Sequence, residues 1–201
     1  MRAGLAAANG RPIAAVEQRT AASLAYQGLA SRLLSPQVAA VLCHGVIAPA
    51  AALRWYVAEG RLRLALGEGA GAAAAEDRPP AEAAADLVAE HVVGAVLTPL
   101  ACAVRAHTGL APRLLYGNAA SALAGAAATV AAARPEHAAG AYALARRVLE
   151  RPPLRGLGGF APAAPGPGPA VFARTTCCLY YRAAGGAVCG DCPIAARARR
   201  S

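Results

Sequence analysis

The sequence predicts a mainly α fold: a helical domain with a small β-hairpin, followed by a C-terminal four-cysteine module. Three observations carry this. The chain is 57% hydrophobic but only 4% aromatic, and alanine supplies much of the rest, so the core must come from Leu, Val and Ala on closely packed helices. Apolar residues recur at helical spacing through most of residues 1–150. Four of the six cysteines fall together between Cys177 and Cys192, beyond a Pro- and Gly-rich stretch. A length of 201 residues suits one domain of ordinary size with a small appendage.

The elements follow in order. "MRAGLAAANGRPIAAVEQRT" opens with an arginine and small residues, but Asn9, Gly10 and Arg11 interrupt it before a hydrophobic region forms, so it does not read as a signal peptide. From Ala14 to Leu34, Leu24, Gly28 or Leu29, and Leu33 share one helical face. Ser35-Pro36 reads as an N-cap and a first-turn proline, which predicts a stop there and a second helix to about Val46. In "RWYVAEGRLRLALGE" the period changes: Leu62, Leu64 and Leu66 alternate with Arg61, Arg63 and Ala65, a hairpin near 55–66 with Trp55 and Tyr56 expected to cover the core. Residues 67–80 look like a loop.

A long helix is expected from Ala81 to His107, kinked at Pro99 and ended by Gly109. Two more fit "PRLLYGNAASALAGAAATVAAA" and "PEHAAGAYALARRVL", separated near Arg134-Pro135. Small residues at Ala120, Ala124 and Ala128, and at Ser121 and Gly125, predict close helix packing. The stretch 151–170, "RPPLRGLGGFAPAAPGPGPA", reads as a linker or extended strap without regular structure. The division is therefore a helical domain over 1–150, the strap over 151–170 and a module over 171–201.

Charge and hydropathy exclude several classes. The formal net charge is +9 and all 20 basic residues are arginine, a uniformity that fits genomic base composition better than selection for a planar fork. The arginines are scattered apart from Arg197, Arg199 and Arg200, and aromatics are too few for a base-stacking surface, which argues against nucleic acid. The uncharged run Leu114 to Ala133 is long enough to span a bilayer. Alanine contributes little to insertion, and Asn118, Ser121 and Thr129 interrupt the run, so it reads as a buried soluble helix, with no membrane span expected. Without an export signal the expected compartment is the reducing cytoplasm, where clustered cysteines are metal or redox groups rather than disulfides. No catalytic triad or phosphate loop is present, and "GLGGF" at 156–160 lacks the dinucleotide fingerprint.

Cys177, Cys178, Cys189 and Cys192 form the pattern CC-x10-C-x2-C. A C-x-x-C turn brings two thiolates to one side, and Gly185, Gly186 and Gly190 let the backbone curl around an ion or cluster. Four soft ligands in so short a span point to metal. Ligand type leaves zinc and an iron–sulfur cluster open, since both accept four cysteines. Spacing leans to the cluster: structural zinc sites use paired C-x2–4-C knuckles, whereas adjacent cysteines point apart and suit a two-iron rhomb with ligands at both ends. The other singletons read blandly. Cys43 and Cys102 lie in apolar helical runs as small core residues. His44, His91, His107 and His137 are unpatterned, and Asn118 after Gly117 reads as a helix-start or turn residue.

The whole of "CCLYYRAAGGAVCGDCP" resembles the C-terminal signature of the FhuF-type ferric-siderophore reductases. More weakly, "SLAYQGLASRLLSP" and "LYGNAASALAGA" resemble stretches common among (2Fe-2S)-binding members of actinobacterial type. The resemblance implies a [2Fe-2S] cluster on Cys177, Cys178, Cys189 and Cys192, with no catalytic residue beyond the cluster ligands. It implies an oxidoreductase that reduces the Fe(III) of an imported siderophore, often a hydroxamate, in the cytoplasm. With no flavin or nicotinamide site of its own, the protein would take electrons from a partner such as a ferredoxin or from a soluble reductant. Arg174, Arg182, Arg197, Arg199 and Arg200 surround the cysteines in sequence and would raise the cluster's potential and attract an acidic donor. Two rivals use the same residues: a zinc-stabilised binding module, and an iron–sulfur sensor or siderophore-binding accessory without turnover.

Overall fold

The computed structural model describes residues 1–8, 10–58, 61–67, 73–74, 80–161, 171–183 and 185–194. After a short helix α1 (Arg2–Ala8), the chain enters α2 (Gln18–His44). One helix runs through where the sequence predicts two, with Pro36 inside it. Proline removes a backbone donor and its ring crowds the carbonyl four residues back. Tertiary burial overrides that cost here: Leu33, Leu34, Val38 and Val41 flank the proline and are fully buried. Gly45 ends α2 in the left-handed region at φ 64°. Gln37 then pins the returning chain, its amide donating to the Ala48 carbonyl and its oxygen accepting from the Ala48 N–H, both at 2.9 Å.

Strand β1 (Val46–Ile47) pairs with β4 (Ala73–Ala74), a two-residue ladder inside the segment expected to be a loop. The predicted hairpin is present as β2 (Leu53–Ala58) and β3 (Arg61–Leu66), antiparallel, with Trp55 opposite Leu64. It does not cover the core with its aromatics: Trp55 and Tyr56 are 42% and 52% exposed. Both faces of β2 look outward, and only Leu53 and Leu64 pack against the core.

The long helix beginning at Ala81 has the expected extent but three parts: α3 (Ala81–Leu87), a π-helical stretch (Val88–Leu97) and α4 (Thr98–Thr108). Pro99 relieves its missing N–H by widening the turn before it rather than by a simple kink. Two hydroxyls take up carbonyls of the widened turns: Thr98 donates to Val93 at 2.9 Å and the buried Tyr26 to Leu97 at 3.2 Å. Burial pushes the Tyr26 phenol well above its ordinary value, so it stays a donor. Gly109, φ 65°, closes α4 as expected.

Helices α5 (Pro112–Ala133) and α6 (Ala138–Leu149) complete the body. α5 packs along α2, with Asn118 bonded to Ser23 and Gln27 to Ser121 across the seam; Ala119, Ala120, Leu123, Ala126 and Ala127 are buried, whereas Ala128 and Gly125 of the predicted small-residue stripe are exposed. Ion pairs Arg147–Glu82 (3.6 Å) and Arg151–Asp86 tie α6 to α3 at the surface. The stretches Ala81–Thr108 and Pro112–Ala133 are long and apolar enough to cross a membrane by length and composition, traits that buried core helices share. In α5 most of that surface is covered by protein.

The stretch 151–161 is not structureless. Turns lead into β5 (Gly158–Phe160), antiparallel to β6 (Phe172–Arg174), with Gly158 opposite Arg174. A side chain at Gly158 would run into the Phe172 ring and the Ala173 carbonyl. Residues 162–170 of the strap, and Arg197, Arg199 and Arg200, lie outside the described residues.

The continuity of α2 gives a direct test. Leu33→Ala empties a fully buried site and should cost about 3 kcal/mol, whereas Pro36→Ala restores a helical donor and should raise stability by about 1 kcal/mol or more. Urea denaturation of both variants reads the two signs.

Candidate metal centre

The cysteine segment is fastened to the helical body by polar groups brought together from three distant parts of the chain. Arg174 closes β6 with its side chain fully buried. Its Nη1–H donates to Asn118 Oδ1 at 3.1 Å and its Nη2–H to the Gly117 carbonyl at 3.0 Å, both on α5. The backbone N–H of Arg174 donates to the Asp191 carbonyl at 3.2 Å. Its Nε lies 3.1 Å from Asp191 Oδ2 without hydrogen-bond alignment, so that contact is an ion pair. The Asn118 amide donates to the Ser23 carbonyl at 3.0 Å and to the Ser23 hydroxyl oxygen at 2.9 Å, which fixes which way its oxygen points. The Ser23 hydroxyl in turn donates to the Cys178 carbonyl at 2.7 Å.

Space for this docking comes from Gly117. A Cβ there would collide with the Thr176 side chain, whose buried hydroxyl has no hydrogen-bond partner. Thr175 secures the other flank, its N–H donating to Leu157 at 3.0 Å and its hydroxyl to Gly156 at 3.1 Å. At the surface, Arg182 pairs with Glu17 at 3.0 Å, beside the start of α2.

The four predicted thiols lie together. Cys178 and Cys192 are 2% and 5% exposed, Cys177 and Cys189 half-buried. Cys178 Sγ and Cys189 Sγ are 3.5 Å apart, close to the ~3.8 Å between two sulfurs on one tetrahedral ion at about 2.3 Å. The Leu179 N–H donates to Cys177 Sγ at 3.4 Å. Leu179 has φ 67°, the left-handed region that a non-glycine residue enters at a cost, and this turn separates the adjacent cysteines from the Tyr180–Arg182 helical turn. Gly186 is required further on, since a Cβ would strike the Tyr180 and Ala183 carbonyls; Gly190 meets no such limit. The C-x-x-C turn closes with the Cys192 N–H donating to Cys189 at 3.1 Å. Among the described residues no three Cys, His, Asp or Glu groups converge as one ion requires. Cys178 and Cys189 approach as a pair.

Burial pushes the Cys189 thiol well above its ordinary value, helped by the Asp191 carboxylate and by Cys178. Burial also raises Cys177, opposed by the Leu179 N–H and by the positive charge of Arg174.

Several sequence expectations change. Asn118 is no helix-start residue but sits inside α5, fully buried. Cys102 is exposed and Cys43 half-buried, so neither is a fully buried core residue. Arg174, expected near the cysteines, is a buried, fully engaged cation. Ser23, Gly117 and Asp191 were missed. The available signals were a lone Asn in an Ala-rich apolar run, and an Asp between two cysteines; each must find a partner if buried.

The structure is that of a mainly α protein with a small C-terminal four-cysteine segment docked on it. Residues 174–193 match the family model of the FhuF 2Fe-2S C-terminal domain. No curated protein and no solved structure matches the chain. The cofactor is thus a [2Fe-2S] cluster in an FhuF-type C-terminal domain, which sets aside the zinc-stabilised module. The residues present fit it: four soft donors lie within one short segment, Cys178 and Cys189 3.5 Å apart, with the Leu179 N–H aimed at the Cys177 sulfur.

Two outcomes are expected. Gly117→Ala should loosen the segment, giving faster proteolysis within residues 175–192 and a lower iron content, and adding Thr176→Ala should restore much of both. In the metal-free protein the raised thiols stay protonated where unfolded thiols, near 9.0, ionise. Stability from these thiols is therefore complete below that range and is lost as pH rises from it toward the folded values. Urea midpoints of metal-free protein should fall above pH 9, less steeply in Cys189→Ser.

Proposed function

We propose that the protein is a cytoplasmic ferric-siderophore reductase whose cluster is held by Cys177, Cys178, Cys189 and Cys192. The observation that carries this is the gathering of four thiols at the protein surface with one pair buried and one pair half-exposed. When bound, the cluster supplies electrons one at a time. Siderophores grip hard Fe(III) through oxygen donors, and Fe(II) binds such ligands far more weakly, so one electron frees the metal.

The chain's own residues shape the exchange. Ser23 and Asn118 hold the Cys178 backbone in place, and the Leu179 N–H stabilises negative charge on Cys177. Cys178 and Cys192 are shielded from water, while Tyr180, Tyr181 and Val188 stand exposed around the open side. A ferric hydroxamate siderophore can approach there, and a ferredoxin or a soluble reductant supplies the electron. One-electron reduction of the bound Fe(III) requires no general base.

The test is an anaerobic titration of purified protein followed by visible and EPR spectroscopy, then mixing of reduced protein with a ferric hydroxamate and an Fe(II) chelator. One Fe(II) should appear per reduced cluster. Serine at any one of the four cysteines should lose or cripple the cluster and this transfer, while Cys43→Ser and Cys102→Ser leave both intact. A reduced cluster that passes no electron to the ferric siderophore would mark a sensor or accessory instead.

A further inference from the structure

Asp191 is an odd residue to find where it is. It lies between Cys189 and Cys192, half-buried, with its Oδ2 shut off from water and lacking any aligned hydrogen bond. A carboxylate enclosed beside anionic thiolates is unfavourable unless a cation compensates it. The cation is Arg174, which reaches Asp191 through Nε while α5 occupies its other two nitrogens. Asn118 cannot turn away, because its amide is committed to Ser23. The guanidinium is therefore held in one place relative to the thiols.

We propose that Arg174 and Asp191 form a charge pair that sets the reduction potential of the cluster, Arg174 raising it and Asp191 lowering it. This rests on the four cysteines as cluster ligands, not on what the cluster reduces. Reduction adds one negative charge to the site. A buried positive charge nearby favours that state and a buried negative charge opposes it, and low-dielectric surroundings strengthen both effects. Both charges sit against the C-x-x-C turn: Asp191 lies between Cys189 and Cys192, and Arg174 meets it through Nε at 3.1 Å and through its backbone N–H at 3.2 Å. In the intact pair the two largely cancel, so removing either one uncovers the other.

Opposite signs distinguish this role from that of a clamp. Arg174→Gln leaves Asp191 uncompensated and should make reduction about tenfold less favourable, a fall of 59 mV for one electron. Asp191→Asn leaves Arg174 uncompensated and should shift the potential upward by a similar amount. Arg174→Lys keeps the charge and should stay near the wild-type potential, even where loss of the planar fork weakens docking. The measurement is a redox titration of each holoprotein monitored by EPR, with iron and sulfide determined on the same samples. Shifts of the same sign, no shift, or loss of the cluster from both neutral variants would overturn the proposal. A wild-type protein with iron but no EPR signal after reduction would instead remove the ligand reading on which it stands.

Discussion

The C-terminal segment has too little apolar surface to fold by itself, so the placement of the cysteines depends on how it meets the helical body, and that meeting is built around Gly117. Thr176 occupies the volume a side chain at this position would take. The segment consequently lies close enough to α5 for the Gly117 carbonyl to accept from Arg174, and for the next residue, Asn118, to reach the same guanidinium. One residue supplies space and its neighbour supplies a polar arm. α5 can offer both because α2 lies close against it, with Ser23 within 2.9 Å of the Asn118 amide and Gln27 bonded to Ser121. Close helix packing is thus what allows a polar connection to run through the core.

That connection is made of groups that would each be costly alone. Ser23, Asn118 and the Arg174 side chain are all fully buried. Leaving a buried donor or acceptor unmade costs about 1–3 kcal/mol, whereas a made bond returns about 1 kcal/mol. The network therefore adds little net stability but penalises every position of the segment except one. Apolar contact between flat, alanine-rich surfaces tolerates sliding, while a chain of donors and acceptors does not. This matters for a metal site, in which sulfur positions must be held far more narrowly than a small hydrophobic interface can hold them.

The cysteine motif, the helices and the hairpin were legible because each rests on local pattern: spacing, period and turn residues. Pro36 was misread because local rules treat proline as a boundary, and burial of Leu33, Leu34 and Val38 absorbed the defect; at Pro99 the expected kink is a widened helical turn. The polar anchor was illegible for a different reason. Its members are separated by 95 residues between Ser23 and Asn118 and 56 between Asn118 and Arg174, and nothing local marks them as partners. Trp55 and Tyr56 misled in the opposite direction, since large aromatic residues are expected inside, and here the hairpin presents them to solvent.

Anchoring on one side has a consequence for the other. Because Arg174, Asp191 and the Cys178 carbonyl are all committed to contacts with the body or with each other, Cys178 is drawn inward, and Cys177, immediately before it, is left toward solvent. Adjacent side chains in an extended segment point to opposite sides. The doublet thus converts a single attachment into an inside and an outside, and the C-x-x-C turn repeats this with Cys192 buried and Cys189 half-exposed. The buried pair lies on the side anchored to the helical body, through the Ser23 bond to the Cys178 carbonyl. The half-exposed pair shares its segment with the exposed Tyr180, Tyr181 and Val188, the side open to electron exchange in the proposed function. On the proposed function, four evenly buried cysteines would insulate the cluster from a redox partner, and four exposed ones would lack the low-dielectric surroundings in which the proposed charge pair could act.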